Sequence, residues 1–263
     1  MNYKTIDFEI VDKVATIKLN RPEYYNSLNE QMAKELLNVA YECDQNSSIR
    51  CVILTGEGEK AFCSGGDLKS FYEQEENVSR HLKEVTHCLH GAITRFSRMD
   101  APLIVAVNGV AAGAGLSFVG FADLAVCSDK ASFVSAYSKA GLTPDGSSSY
   151  FLPRIIGSRR YLELVLTNKT LSSKEALEWG LINKIFEHES LYKETFKIAK
   201  ELSEGPTLAF GRTKELVHNS FTSSLEGQME LETIMISKSA DTEDGKEGIR
   251  SFVKKEKPTF LGK

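Results

Sequence analysis

The sequence predicts an α/β fold: a largely parallel sheet interleaved with helices, then a helical C-terminal region. Two observations predict it. Up to Gly146, short apolar or alternating runs are interleaved with stretches of helical periodicity. Beyond Gly146 the strand signal nearly vanishes. The chain has 263 residues, 41% hydrophobic and 26% charged, enough to bury one large core with a smaller appendage. This divides it into an α/β core over 1–200 and a helical region over 201–263.

Taken in order, residues 5–19 alternate in polarity and predict two short strands around Val11-Asp12-Lys13. Met32, Leu36, Leu37 and Ala40 recur near helical spacing, with Asn29 placed to cap that helix. "CVILTG" (51–56) is a short apolar run closed by glycine, a buried strand. Residues 77–99 carry Leu82, Val85, Leu89, Ile93 and Phe96 on one side of a long helix. A strand over 103–107 follows, then a bare turn, a helix near 114–121, and strands at 124–127 and 132–136. "SSYFLPRIIGSRRYLELVLTN", "SSKEALEWGLI", "SLYKETFKIAKELSE" and "PTLAFGRTKELVHNS" all predict helices. A charged helical tail runs from 223 to about 256, broken by the polar "DTEDGKEG".

Composition narrows the function. The net charge is −4 and no basic cluster stands out, which argues against nucleic acid. The five cysteines are odd in number, widely spaced and free of CxxC pairs, so they predict reduced thiols in a cytoplasmic protein, with no metal site. The N-terminus lacks a signal-peptide core, and no run approaches the ~18 apolar residues of a membrane span.

The most informative stretch is "APLIVAVNGVAAGAGLSFVGFADLAV", 101–126. A buried strand loses almost all side chain over Asn108–Ala114 and then enters a helix. A glycine-rich turn into a helix exposes unpaired N–H groups that suit an anion or a developing oxyanion. Tight helix packing is the alternative use of the same small residues. "KAFCSGGDLKSF", 60–71, repeats the pattern by setting Ser64-Gly65-Gly66 before a polar helix start. Two such patches can face one carbonyl oxygen from two sides.

At these motifs the chain resembles the crotonase (enoyl-CoA hydratase/isomerase) superfamily. "IKLNRPEYYNSLNEQM" is similar to its opening signature, "VILTGEGEKAFCSGGDL" and "PLIVAVNGVAAGAGLSFVGFADLAV" to its two oxyanion-hole segments, and "LPRIIGSRRYLELVLTNKTLSSKEALEWGLINKI" to the segment after its active-site loop. The resemblance runs in order from about 5 to 262. It implies a spiral of ββα turns with a helical trimerisation region, assembled as trimers or dimers of trimers. The implied substrate is an acyl-CoA thioester; coenzyme A comes as part of it, with no permanently bound cofactor. The implied oxyanion donors are the N–H groups of Gly66 and Ala114. Ser64, Gly65, Asp67 and Leu68 would belong to the CoA-binding turn, and Asn26-Ser27-Leu28 would help to hold the CoA moiety. Asp67 has a second reading as a helix N-cap.

The family's hydratases use two glutamates, whose positions fall here on Ser117 and Tyr137. Neither is a carboxylate, and hydration needs an acid/base pair. One acid remains nearby, Asp145 in "SAYSKAGLTPDGSSSYFLPR", which on composition alone is an ordinary Pro-Asp-Gly turn. Double-bond-shifting and ring-modifying members of the family place a catalytic Asp at this position. An aryl-CoA isomerase shares the shape S-K-x-G-L-x-P-D, and an aryl-CoA dehalogenase partners the Asp with a Trp and a His. Here the Trp position is Tyr137 and the His position is His90, a candidate base or a plain surface residue. The resemblance therefore implies an enoyl-CoA isomerase shuttling a proton through Asp145. The alternatives are a hydratase with altered acid/base residues, a dehalogenase-like enzyme and a silent acyl-CoA-binding protein.

Overall fold

The computed structural model describes residues 3–263. In chain order the elements are β1 (Ile6–Val11), β2 (Val14–Leu19), α1 (Glu30–Gln45), β3 (Cys51–Gly56), β4 (Ala61–Cys63), α2 (Leu68–Tyr72), α3 (Val78–Arg98), β5 (Leu103–Val107), β6 (Val110–Ala112) and α4 (Ala114–Phe121). Then come β7 (Leu124–Ser128), β8 (Ser132–Val134), α5 (Ser148–Ile156), α6 (Ser158–Thr167), β9 (Leu171–Ser172), α7 (Ser173–Glu178), β10 (Lys184–Phe186), α8 (Leu191–Ser203), α9 (Thr207–Ser220), α10 (Leu225–Ala240) and α11 (Glu243–Lys254).

Two sheets organise these elements. One has the order β1-β2-β3-β5-β7-β10 and the other β4-β6-β8-β9. Three successive units, β3-β4, β5-β6 and β7-β8, each place one strand in the large sheet and the next in the small one, and a helix follows. Every pair from β2 through β10 in the large sheet is parallel. Its central strands are buried on both faces. Leu54, Val105 and Cys127 join the main core, while Ile53, Ile104 and Val126 pack with Leu191 and Ala199 of α8. That double burial is why β3 and β5 read as unbroken apolar runs rather than as alternation.

Local chemistry sets the ends of elements. Asp12 and Lys13 take left-handed backbone angles in the β1–β2 turn. The Asn29 side chain accepts the Met32 N–H and caps α1, a contact worth about 1 kcal/mol. Gly157, at φ +84°, divides what reads as one helical stretch into α5 and α6. The tail breaks at Asp241–Thr242, because Thr242 caps α11, so most of "DTEDGKEG" is helical. Four short strands depart from the sequence reading: β4 and β9 of the small sheet, β6, which takes Val110–Ala112 out of the bare run, and β10, which pairs with β7.

The C-terminal helices are tied to the core by specific polar contacts. Lys214 of α9 pairs with Asp123 at 2.8 Å and donates to the Ala101 carbonyl. Arg50 donates to the Phe260 carbonyl and to Thr207 Oγ1, each at 3.0 Å. The Asp244 carboxylate accepts the Leu261 and Gly262 N–H groups at 2.6 and 2.8 Å. All five cysteines are free. Burial pushes the Cys51, Cys63 and Cys127 thiols up to about 12, which leaves them inert. Among the described residues no helix is long and apolar enough to cross a membrane.

Candidate active site

The two glycine-rich bends lie against each other. β4 pairs in parallel with β6, so the segments leaving them emerge side by side. Gly65 (φ +103°) and Gly113 (φ +51°) hold backbone angles that side-chain-bearing residues avoid. A Cβ on Gly65 would sit 3.2 Å from the Ala112 carbonyl oxygen, and one on Gly113 would sit 3.3 Å from Gly65 Cα. A Cβ on Gly115 would come within 2.2 Å of the Cys63 carbonyl oxygen. The missing side chains are what allow this backbone-to-backbone contact.

Beyond each bend stands an open amide. Ala114 opens α4, where helix geometry leaves its N–H without an intrahelical acceptor. Gly66 bridges Leu28, but its neighbours carry the hydrogen bonds: Leu28 N–H donates to the Gly65 carbonyl, and Asp67 N–H to the Leu28 carbonyl. Among the described residues neither the Gly66 nor the Ala114 N–H has a backbone acceptor in a turn, loop or cap. Both residues line one cavity of about 240 Å³. An oxygen gaining charge against both amides would be stabilised by donors already fixed in place.

The rest of that cavity is mostly apolar, with Leu28, Leu68, Phe71, Leu82, Val85 and Leu142 in its wall. Among the described residues Asp145 is the one acid that lines it. The Tyr137 hydroxyl donates to Asp145 Oδ1 at 2.6 Å. Burial, with the Asp145 charge adding, pushes the Tyr137 phenol up, so it stays protonated and donates. Ser117 Oγ donates to the Asp145 carbonyl at 3.0 Å and lies 3.2 Å from the Tyr137 hydroxyl. Gly146 and Ser147 both take left-handed angles, and the Ser148 N–H returns to the Asp145 carbonyl.

A sequence profile of the Enoyl-CoA hydratase/isomerase family matches residues 9–263. The chain belongs to that family. It is 34% identical to 1,2-epoxyphenylacetyl-CoA isomerase of Escherichia coli (strain K12) over 251 residues, 95% of each chain. It is 36% identical to 4-chlorobenzoyl coenzyme A dehalogenase-2 of Arthrobacter sp. over 228 residues, 86% of this chain and 82% of the other. The crystal structure of an enoyl-CoA hydratase from Bacillus anthracis superposes with a TM-score of 0.92 at 29% identity, covering 99% of this chain and 100% of that one. The chain is thus an acyl-CoA enzyme with the crotonase fold, in a family that works on CoA thioesters without a permanent cofactor.

Within this hydratase/isomerase-family chain the expected CoA-turn residues divide into two groups. Leu28, Ser64, Gly65 and Leu68 line the cavity beside Gly66. The side chains of Asn26 and Asp67 are occupied elsewhere. Buried Asn26 accepts the Arg21 N–H and donates to the Glu57 and Ala61 carbonyls. Asp67 caps α2 through the Ser70 N–H and pairs with Arg21 at 2.9 Å. The Ser27 carbonyl accepts from Arg21, so these residues shape the turn through its backbone. His90 is exposed on α3 and lies outside the cavity lining; its Nε2 accepts the Gly146 N–H at 3.2 Å. Sequence reasoning registered Ser117 only as an absent glutamate. The signal available was its place one helical turn after Gly113, a spacing that can turn its hydroxyl toward the loop.

Proposed function

We propose that this enzyme moves a carbon–carbon double bond along an acyl-CoA chain, as an enoyl-CoA isomerase. One observation carries the reading: among the described residues a single carboxylate, Asp145, shares a cavity with two backbone amides that have no hydrogen-bond acceptor. The amides of Gly66 and Ala114 take the thioester oxygen as it becomes an enolate oxygen, and one such donor is worth about 3 kcal/mol of barrier. Asp145 removes a proton from C2 of a 3-enoyl thioester, the electron pair spreads over the dienolate, and the same proton returns to C4. One carboxylate completes this cycle. Hydration would need a second group to activate water, and its two expected positions hold Ser117 and Tyr137, which instead hydrogen-bond Asp145. Tyr137 thereby orients the carboxylate rather than acting on substrate.

Product analysis tests this reading directly. The enzyme is expected to convert 3-enoyl-CoA to 2-enoyl-CoA and to leave crotonyl-CoA unhydrated. Rapid 3-hydroxyacyl-CoA formation would select the hydratase reading instead, and chloride from 4-chlorobenzoyl-CoA the dehalogenase reading. Silence across an acyl-CoA panel with binding retained would leave a binding protein.

The helical region 201–263 serves assembly in the same reading. Ile236 on α10 and Phe252 and Val253 on α11 are 71–86% exposed, an apolar surface that further copies of the chain would cover. Sedimentation equilibrium is expected to return a multiple of three chain masses, and a monomer would remove the trimer proposal.

A further inference from the structure

We propose that His90 is a positioning residue for the loop that carries Asp145. This inference rests on the reading of Asp145 as the proton carrier. Gly146 is buried, and its N–H has a single acceptor among the described residues, Nε2 of His90 at 3.2 Å. A buried amide without a partner is disfavoured, so the imidazole supplies what this peptide needs. Accepting at Nε2 places the ring proton on Nδ1.

The bond matters because of what surrounds it. Gly146 and Ser147 sit at φ +57° and +64°, two consecutive left-handed residues, one of them bearing a side chain. Such a backbone persists only where its surroundings over-determine it. The Asp145 carbonyl is held from one side by Ser117 Oγ and the Ser148 N–H. The Asp145–Gly146 peptide is held from the other side by His90. With both in place the carboxylate stays against the Tyr137 hydroxyl. His90 thus fixes the direction in which Asp145 presents its carboxylate without itself exchanging a proton with substrate.

The test compares His90→Leu with His90→Gln on 3-enoyl-CoA. Leucine removes the acceptor; glutamine replaces Nε2 by an amide oxygen of similar reach. His90→Leu is expected to lower kcat by roughly 10- to 100-fold, the scale of a misplaced catalytic group, with KM little changed. His90→Gln is expected to recover most of that loss. Equal loss in both variants would make His90 a proton-transfer group, and no loss in either would make it a bystander; both outcomes overturn the proposal. Nitrogen-15 NMR of the wild-type imidazole tests the bond without turnover. The Nδ1–H tautomer is expected, and the Nε2–H tautomer would overturn it. Asp145→Asn, assayed in parallel, separates the two failures: undiminished turnover there sinks the proton-carrier reading alone.

Discussion

Asparagine at Asp145 is expected to slow conversion of 3-enoyl-CoA to 2-enoyl-CoA by roughly 10²- to 10⁴-fold, the range of a lost general acid/base. The substitution is nearly isosteric. An asparagine Oδ1 can still accept from the Tyr137 hydroxyl, which now stands 2.6 Å from the carboxylate. The backbone of residue 145 keeps its bonds from Ser117 Oγ and the Ser148 N–H. What disappears is the ability to take up a proton and release it. KM and thermal stability should therefore change little while kcat collapses, the pattern of an interaction used only in the transition state. Transfer of a deuterium label from C2 to C4 should fall in parallel, because the same group carries that proton. Undiminished isomerisation by this variant would take Asp145 out of the chemistry and leave the proton to another group.

Much of the core was legible in the sequence because local signals and tertiary demands agree there. β3 and β5 are buried on both faces, so their composition alone marks them. The two glycine-rich bends stood out because a plain turn does not require so many bare residues. β6 was not legible. Ala111 and Ala112 have weak strand preference, and they are held by β4 on one side and β8 on the other. β10 was hidden for a similar reason: Lys184–Phe186 is three residues long, and only its pairing with β7 makes it a strand. The polar frame around Asp145 was the least accessible part. It brings together α3, α4, the loop after β8 and the turn before α5; only the family resemblance set His90 and Tyr137 near Asp145, and no spacing rule brings these side chains and Ser117 to the Asp145 side chain and its flanking peptide.

That frame recasts the positions where the family's hydratases carry glutamates. Replacing two carboxylates by a serine and a tyrosine removes acid/base capacity, but the hydrogen bonds of these residues converge on the single acid that remains. Two carboxylates there would set like charges beside one another. A hydroxyl and a protonated phenol add no charge. Tyr137 donates to the carboxylate itself and Ser117 to the backbone carbonyl of the same residue, so the two hold Asp145 in place from its side chain and its main chain.

Alanine at Gly115 is expected to be more damaging than its single methyl group suggests. The added Cβ would lie 2.2 Å from the Cys63 carbonyl oxygen and 3.0 Å from Cys63 C and Cβ. Most of this obstacle is backbone at the end of β4, held in register with β6, so no rotamer change relieves it. Ordinary contact distances require α4 to retreat by about 1 Å or more, and Ala114 N–H, one residue away, moves with it. Loss of one preorganised donor lowers kcat by roughly 10²- to 10³-fold, and the overpacking removes about 1–3 kcal/mol of stability. Gly120→Ala in the same helix supplies the control. There the Cβ meets Leu152 Cδ2 at 3.0 Å and Cγ at 3.1 Å, side-chain rather than backbone atoms, so the cost falls on core packing and turnover should remain close to that of the unsubstituted enzyme. Measured well below both melting temperatures, a Gly115→Ala enzyme that is less stable but fully active would mean that the contact between the two bends serves only packing. The amides of Gly66 and Ala114 would then not be the pair that holds the thioester oxygen.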